Sequence, residues 1–314
     1  MVSKSNYKRY LLFVYNLMKY FLLQIVITLI LISSAPASGE VLVVQSLPVK
    51  PYDEAFQGFR SACRQRVTRL VGPVLSEEAI TGKIRDTRPD LVLAIGQDAL
   101  LKLKSVRSAP IVYVMVLNPT TLLRDGGNIV GVSMNLSPER QISLLREVIP
   151  GIKRIGVFFD PAKTGPYVGR MNRIASAAGI NLLTRQVQSS KDAISKLEEI
   201  KDKVDALWLL PDTTVVNPST IDLLLLSAIE NKIPVITFSE KYVEKGAVLS
   251  MEVDAGEAGR QAGEMAESIL AGTPVKSIAD VDARGCILTV NMIVAKRLGI
   301  SVKTKAIRNA RIIK

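Results

Sequence analysis

The 314-residue chain contains no histidine. That absence removes Ser-His-Asp and Cys-His catalysis, histidine-ligated zinc and histidine proton shuttling together. Cysteine is nearly absent as well, with Cys63 and Cys286 the two in the chain. They read as isolated, buried small hydrophobes, although an oxidising compartment would allow them to pair. Aromatic residues make up 5%, with a single tryptophan, which speaks against a sugar-stacking site. There is no Walker-type Gly-Lys-Ser/Thr, zinc-finger, basic-zipper or RNA-recognition signature. No cofactor and no metal site is expected.

The formal charge of +12 points at first to nucleic acid. Its location says otherwise. Lys4, Lys8, Arg9 and Lys19 stand before residue 38 without an acid, and the tail from Lys296 to Lys314 holds seven Lys or Arg and no acid. Between them, thirty basic residues meet twenty-nine acidic ones, so the body of the chain is nearly neutral and no nucleic-acid partner is expected.

The first four charges flank "FLLQIVITLILI" (21–32), which is followed by "SSAPASGE". A basic flank, a short apolar core and the small residues Ala35 and Ala37 describe a secretory signal peptide over 1–37, cleaved after Ala37. Met18 is an alternative start, and an uncleaved anchor is the alternative fate of this segment. A span needs about 20 apolar residues, and this core is shorter. Either way the body is expected outside the cytoplasm, in the periplasm or its equivalent.

Short apolar runs then alternate with amphipathic segments. Strands are expected at 41–46, 69–74, 91–96, 111–116, 129–134, 154–160, 180–187, 206–211, 235–239 and 247–253. Most are unbroken Val/Ile/Leu runs, as in parallel strands buried on both faces. Helical segments include 52–66, 138–149 and 189–204, the last opening with a Ser cap and an acid in its first turn. The fold class is therefore α/β, with doubly wound parallel sheets. The alternation breaks once, at "LNPTTLLRDGGN" before "IVGVSM", which reads as a crossing between two lobes. A return is expected near "AVLSMEV" and a third crossing near "CILTVN" (286–291). Helix 254–272 carries Gly256, Gly259 and Gly263, so it can approach a neighbour closely, and interleaved charges exclude a membrane helix pair. The expected organisation is a first lobe of 38–131 plus about 252–283 and a second of 132–251 plus about 284–314. A three-crossing hinge near 131–135 and 249–253 would join them.

Ligands of open parallel sheets sit beyond the carboxyl ends of the strands. Those ends offer Gln45 and Ser46, Gln97 and Asp98, and Asn118 in the first lobe. They offer Phe159 and Asp160, Asp212 and Thr213, and Phe238, Ser239 and Glu240 in the second. Each acid or hydroxyl can also serve as a helix cap. As a set they suit a zwitterionic small molecule: helix-start amides for a carboxylate, Asp98, Asp160, Asp212 or Glu240 for an ammonium group, and Tyr52, Phe159 or Phe238 over an apolar side chain. Phosphate fits poorly because the loops lack Lys and Arg. Two of these acids as a hydrolase pair remain an alternative.

The segments "APIVYVMVLNP", "GGNIVGVSM", "RIGVFFDPA", "VDALWLLPDTTVV", "NKIPVITFSEKYVEKGAVLS" and "GRQAGEMAESILAG" together resemble the exported substrate-binding proteins of ABC transporters, of the tryptophan/tyrosine-binding type. The resemblance runs from about 41 to 300. It implies a type 1 periplasmic-binding fold of two lobes, a small-molecule ligand such as an amino acid, an ABC permease as membrane partner, a monomeric state and no enzymatic activity. It also implies that Gln97, Asp98, Asn118, Asp160, Asp212, Thr213, Ser239 and Glu240 border the cleft. Two departures are visible: the segment "RVTRLVGPVLSEEAITGKIRDTRP" is short, and Thr213 stands where many members have a second proline. A ligand-binding sensor that docks on a membrane receptor is the other function such a fold serves. The basic tail after Ile300 reads as a local extension, with a solvated helix face or an unordered end as its simplest form.

Overall fold

Unbroken Val/Ile/Leu runs can be buried on both faces only if helices cover both sides of the sheet they form. Two sheets result. The computed structural model describes residues 39–314 except 73–74, 124–126 and 219, together with 15, 17–21 and 24, which are helical. The expected signal segment therefore lies almost wholly outside the described residues. Among those residues no helix is long and apolar enough to cross a membrane.

From Gly39 onward the order begins β1 (Glu40–Gln45), α1 (Lys50–Ala62), β2 (Arg66–Val71), α2 (Glu77–Thr87), β3 (Leu91–Ile95), α3 (Gln97–Leu103), β4 (Ile111–Val116) and β5 (Ile129–Leu136). It continues through α4 (Pro138–Val148), β6 (Arg154–Phe159), α5 (Pro161–Ala177), β7 (Asn181–Gln186), α6 (Ser190–Ile200), β8 (Ala206–Trp208), α7 (Ile221–Glu230), β9 (Val235–Thr237) and α8 (Glu240–Glu244). The chain closes with β10 (Leu249–Val253), α9 (Ala255–Leu270), β11 (Val281–Ala283), β12 (Cys286–Asn291), α10 (Met292–Arg297) and β13 (Arg311–Ile313).

The first sheet has the order β11-β5-β4-β3-β1-β2 and the second β13-β12-β10-β9-β8-β6-β7. Both are doubly wound α/β sheets. Pairing is parallel except between β10 and β12. The chain passes between sheets three times: after β5, between β10 and α9, and between β11 and β12. The first sheet keeps the chain to Leu136, because β5 is held on one side by β4 and on the other by β11.

Local signals act as their chemistry requires. Ser189 caps α6 by accepting from the Asp192 amide, and the Asp192 carboxylate accepts from the Ser189 amide at 3.0 Å. In α9 the small residues lie on α1: a Cβ at Gly263 would sit 2.7 Å from the Phe59 carbonyl oxygen, and one at Gly259 would overlap the Ala55 carbonyl. The same helix carries Arg260, which pairs with Glu257 and Glu264, and both of these acids also pair with Arg284. Cys63 and Cys286 are both free. Burial pushes each thiol up to about 11.

The basic tail departs from expectation. Ile307 is buried, the Lys303 amide donates to the Val148 carbonyl at 3.0 Å, and β13 joins β12 in parallel register, Thr289 facing Arg311. Ile312 and Ile313 supply the apolar contact that a run of positive charge hides in the sequence.

Candidate functional site

A doubly wound sheet opens a crevice where its strand order reverses, here beside β1 and β3 in the first sheet and beside β6 and β8 in the second. In the first sheet that crevice is filled by the protein itself. Gln45 is fully buried; its amide donates to Leu47 O at 2.7 Å and to Asp53 Oδ1 at 3.2 Å, while Arg69 donates to its Oε1. Ser46 Oγ donates to Ile95 O and accepts from the Ala99 amide, each at 3.0 Å, so it caps α3. Half-buried Tyr52 packs against Gly96, where φ is +91° and a Cβ would meet the phenol ring at 2.7 Å. Burial, assisted by the Asp98 carboxylate, raises the Tyr52 phenol above its ordinary value. Gln97 and Asp98 are exposed.

At the second crevice a carboxylate network ties the loops after β6 and β8 together. Asp212 is 2% exposed. Its Oδ2 accepts from the Asp160 amide at 2.8 Å and from Thr164 Oγ1 at 2.6 Å, and its Oδ1 accepts from the Thr214 amide at 2.9 Å. Asp160 caps α5 through the Ala162 amide and accepts from Thr214 Oγ1 at 2.8 Å. The Thr214 hydroxyl, with the Ala162 amide and the Lys163 charge, holds Asp160 below the usual carboxylate value against the opposing effect of burial. Lys163 Nζ donates to Thr213 Oγ1 at 2.7 Å and to Thr214 Oγ1 at 2.8 Å. Phe159 is buried in the core. Asp212 thus organises the loop after β8, with Asp160 capping α5 beside it.

Two strand positions further along each sheet, a cavity of about 510 Å³ opens between the carboxyl ends of β4 and β5 on one side and β9 and β10 on the other. Met115, Leu117, Met134 and Leu136 form the first wall; Phe238, Met251 and Val253 form the second. The β4 wall is conformationally unusual. Met115 has φ +59° at a register shift between β4 and β5, and Asn118 has φ +47°. Non-glycine residues in this region each cost of the order of 1–3 kcal/mol and persist where surroundings enforce them, often at binding sites. Asn118 Oδ1 accepts from Asn135 Nδ2 at 3.0 Å, and Asn135 lines the cavity.

Tyr167 of α5 and Gln141 of α4 reach the same cavity. The Tyr167 hydroxyl donates to Leu136 O at 2.8 Å and lies 2.6 Å from Gln141 Oε1, pinning the second lobe to the end of β5. Burial, then the Asp282 charge, raises this phenol strongly. A further tie is the ion pair of Arg170 on α5 with Asp282 on β11 at 2.7 Å, where Asp282 also accepts from Ser133 Oγ at 2.7 Å. Around the rim stand three cations, Lys50, Lys241 and Arg311, and four acids, Glu54, Glu240, Glu244 and Glu252. The arrangement combines apolar walls for a side chain with both charge signs at one mouth, which suits a molecule that carries both.

Of the residues singled out from sequence, the cavity gathers Phe238, Ser239 and Glu240, and Asn118 borders it through Asn135. Gln45, Ser46, Tyr52, Gln97, Asp98, Phe159, Asp160, Asp212 and Thr213 lie outside its lining. Strand-end polar residues mark helix caps as readily as ligands, and here capping claimed Ser46 and Asp160. Met115, Met134, Tyr167, Glu252 and Arg311 were missed. Glu252, an acid inside the apolar run "AVLSMEV", was the one of these with a visible signal. Among the described residues, no group of three or more His, Cys, Asp or Glu is placed to hold a metal ion.

The family of ABC transporter substrate binding proteins matches residues 76–313. A tyrosine-binding protein of Clostridioides difficile is 26% identical over 213 residues, 65% of this chain and 60% of that protein, so the match spans less than two thirds of the relative's length. Among solved structures, a ligand-free, open substrate-binding protein with adhesive properties from Clostridium difficile gives a TM-score of 0.69 at 23% identity, covering 88% of this chain and 99% of that one. An ABC domain in complex with L-Trp from Streptococcus pneumonia gives 0.59 at 20% identity, covering 88% and 100%. At these identities the two structures bear on the fold, and both share the two-lobed α/β arrangement.

Proposed function

Since the chain belongs to the family of ABC transporter substrate-binding proteins, we propose that it is the exported solute-binding component of an ABC importer. It takes a free amino acid in the cavity between β4/β5 and β9/β10, closes its lobes around it and presents it to a membrane permease. The observation that carries this reading is the cavity itself. Its volume of about 510 Å³ falls within the range of about 300–1,000 Å³ usual for small-molecule sites. Its walls belong to both sheets, so a ligand that touches both favours a closed arrangement over an open one by its differential contacts. The three passages between sheets supply the hinge about which closure occurs.

Export through the N-terminal segment and delivery to a permease follow from the family's role and from the apolar run at 21–32. The test is a thermal-shift panel of the twenty common L-amino acids on the chain from Gly39, with small-angle scattering on any binder. A ligand at 100 times its Kd should stabilise the protein by about 2.7 kcal/mol, a melting shift of roughly 5 °C, and reduce the radius of gyration. A panel without any shift, with scattering unchanged, would contradict the proposal.

A further inference from the structure

The rim of the cavity holds an ion pair for which the fold alone gives no reason. Arg311 of β13 donates to Glu240 at the start of α8, and both line the cavity. The pair is half open to water, the side chains being 56% and 32% exposed. A pair of this kind contributes about 0–1 kcal/mol, so opening it costs little. Glu252, one strand over, accepts from the Glu240 amide at 3.2 Å, which places a second carboxylate in the same corner.

The other rim cations are differently engaged. Lys50 stands 3.6 Å from Glu54 one helical turn away, with its side chain 86% exposed, and Lys241 lies over the Tyr242 ring at 5.8 Å. Arg311 is also the rim cation whose planar fork can grip a carboxylate through two parallel hydrogen bonds. Its position is secured from behind, because Ile312 and Ile313 pack into the core and β13 is locked in register to β12, whose Ile287 lines the cavity.

We propose that Arg311, delivered by the C-terminal strand, is the receptor for the ligand's carboxylate, and that Glu240, released by that exchange, joins Glu252 in receiving the ligand's ammonium group. An internal salt bridge is thereby traded for two intermolecular ones. The site then requires a free α-amino acid with both its charged groups unblocked. The tail, whose charges look like solvated surface, becomes part of the specificity apparatus. This inference rests on the amino-acid reading of the cavity.

A titration-calorimetry cycle tests it. Wild type, Arg311→Met and Arg311→Lys are each titrated with the tightest-binding L-amino acid of the panel, its carboxamide and its N-acetyl derivative. Arg311→Met should weaken binding of the free acid about 10- to 100-fold, as for loss of hydrogen bonds to a charged group. Binding of the carboxamide, already weak in wild type, should change by less than about threefold. Arg311→Lys should restore part of the loss, and the N-acetyl derivative should bind poorly to all three. Unliganded melting temperatures of the variants check that the fold is intact. Equal losses for acid and carboxamide, or an unchanged affinity for the acid, overturn the assignment of Arg311 while leaving the amino-acid reading in place. If no amino acid binds wild type, both fall.

Discussion

Asp212→Asn separates a structural acid from a ligand-binding one. The substitution keeps the side-chain volume, so no cavity term enters. It removes a charge that accepts from the Asp160 amide at 2.8 Å, Thr164 Oγ1 at 2.6 Å and the Thr214 amide at 2.9 Å. With the remaining oxygen kept towards Thr214, the new amide nitrogen faces the Asp160 N–H, which is left without an acceptor. The Thr164 hydroxyl can rotate and accept. One orphaned buried N–H costs about 1–3 kcal/mol, and the loss of charge assistance in the surviving bonds adds to it. The sum is about 2–4 kcal/mol, or a fall in melting temperature of roughly 4–8 °C for a chain of this size. Ligand affinity, measured below the lowered melting point, should stay within about twofold of wild type. A variant that melts like wild type but loses its ligand would refute this reasoning and return Asp212 to the binding site.

Other expectations rest on separate parts of the fold. Gly259→Ala drives a methyl group into the Ala55 carbonyl where α9 meets α1, and overpacking of this kind costs about 1–3 kcal/mol; a melting temperature equal to wild type would show that the helices can part. With both thiols near 11, a maleimide at neutral pH should label native Cys63 and Cys286 slowly and the denatured chain fast; rapid native labelling of both would contradict their placement. Asp160 is held below its ordinary value, so its contribution is present above the unfolded carboxylate pKa of about 3.9 and is lost as pH falls through the lower folded one. Asp160→Asn should therefore lower stability at neutral pH and lessen the loss of stability on acidification below about pH 4, and parallel melting curves for the two proteins across that range would count against it.

Sequence and fold agree most closely where a single interaction dominates. Runs such as Leu91–Ile95 and Ile111–Val116 are buried along their whole length, and their shortness and β-branched content suit an inner parallel strand. The short strands Val281–Ala283 and Arg311–Ile313 escaped notice because each is three residues long and gains its place from a distant partner, β5 for one and β12 for the other. The site was harder to read for the same reason. Asp160 and Asp212 look like ligand-facing acids because a strand end, a proline and a hydroxyl surround them. Their oxygens are instead satisfied within the protein, by the Asp160, Ala162 and Thr214 amides and by the Thr164 and Thr214 hydroxyls. Met115 sits inside "IVYVMV", and nothing local reveals that the backbone turns to positive φ there and aims the residue at the cavity. Arg311 is one of seven cations in an acid-free tail, and only the pairing of β13 with β12 singles it out.

The most direct test is a crystal structure of the chain with the amino acid selected by the thermal-shift panel. The account predicts the ligand between Met115 and Met134 on one side and Phe238 and Met251 on the other, with its carboxylate on Arg311 and its ammonium group near Glu240 and Glu252. A ligand bound instead beside Asp160 and Asp212, or on one lobe alone, would contradict it.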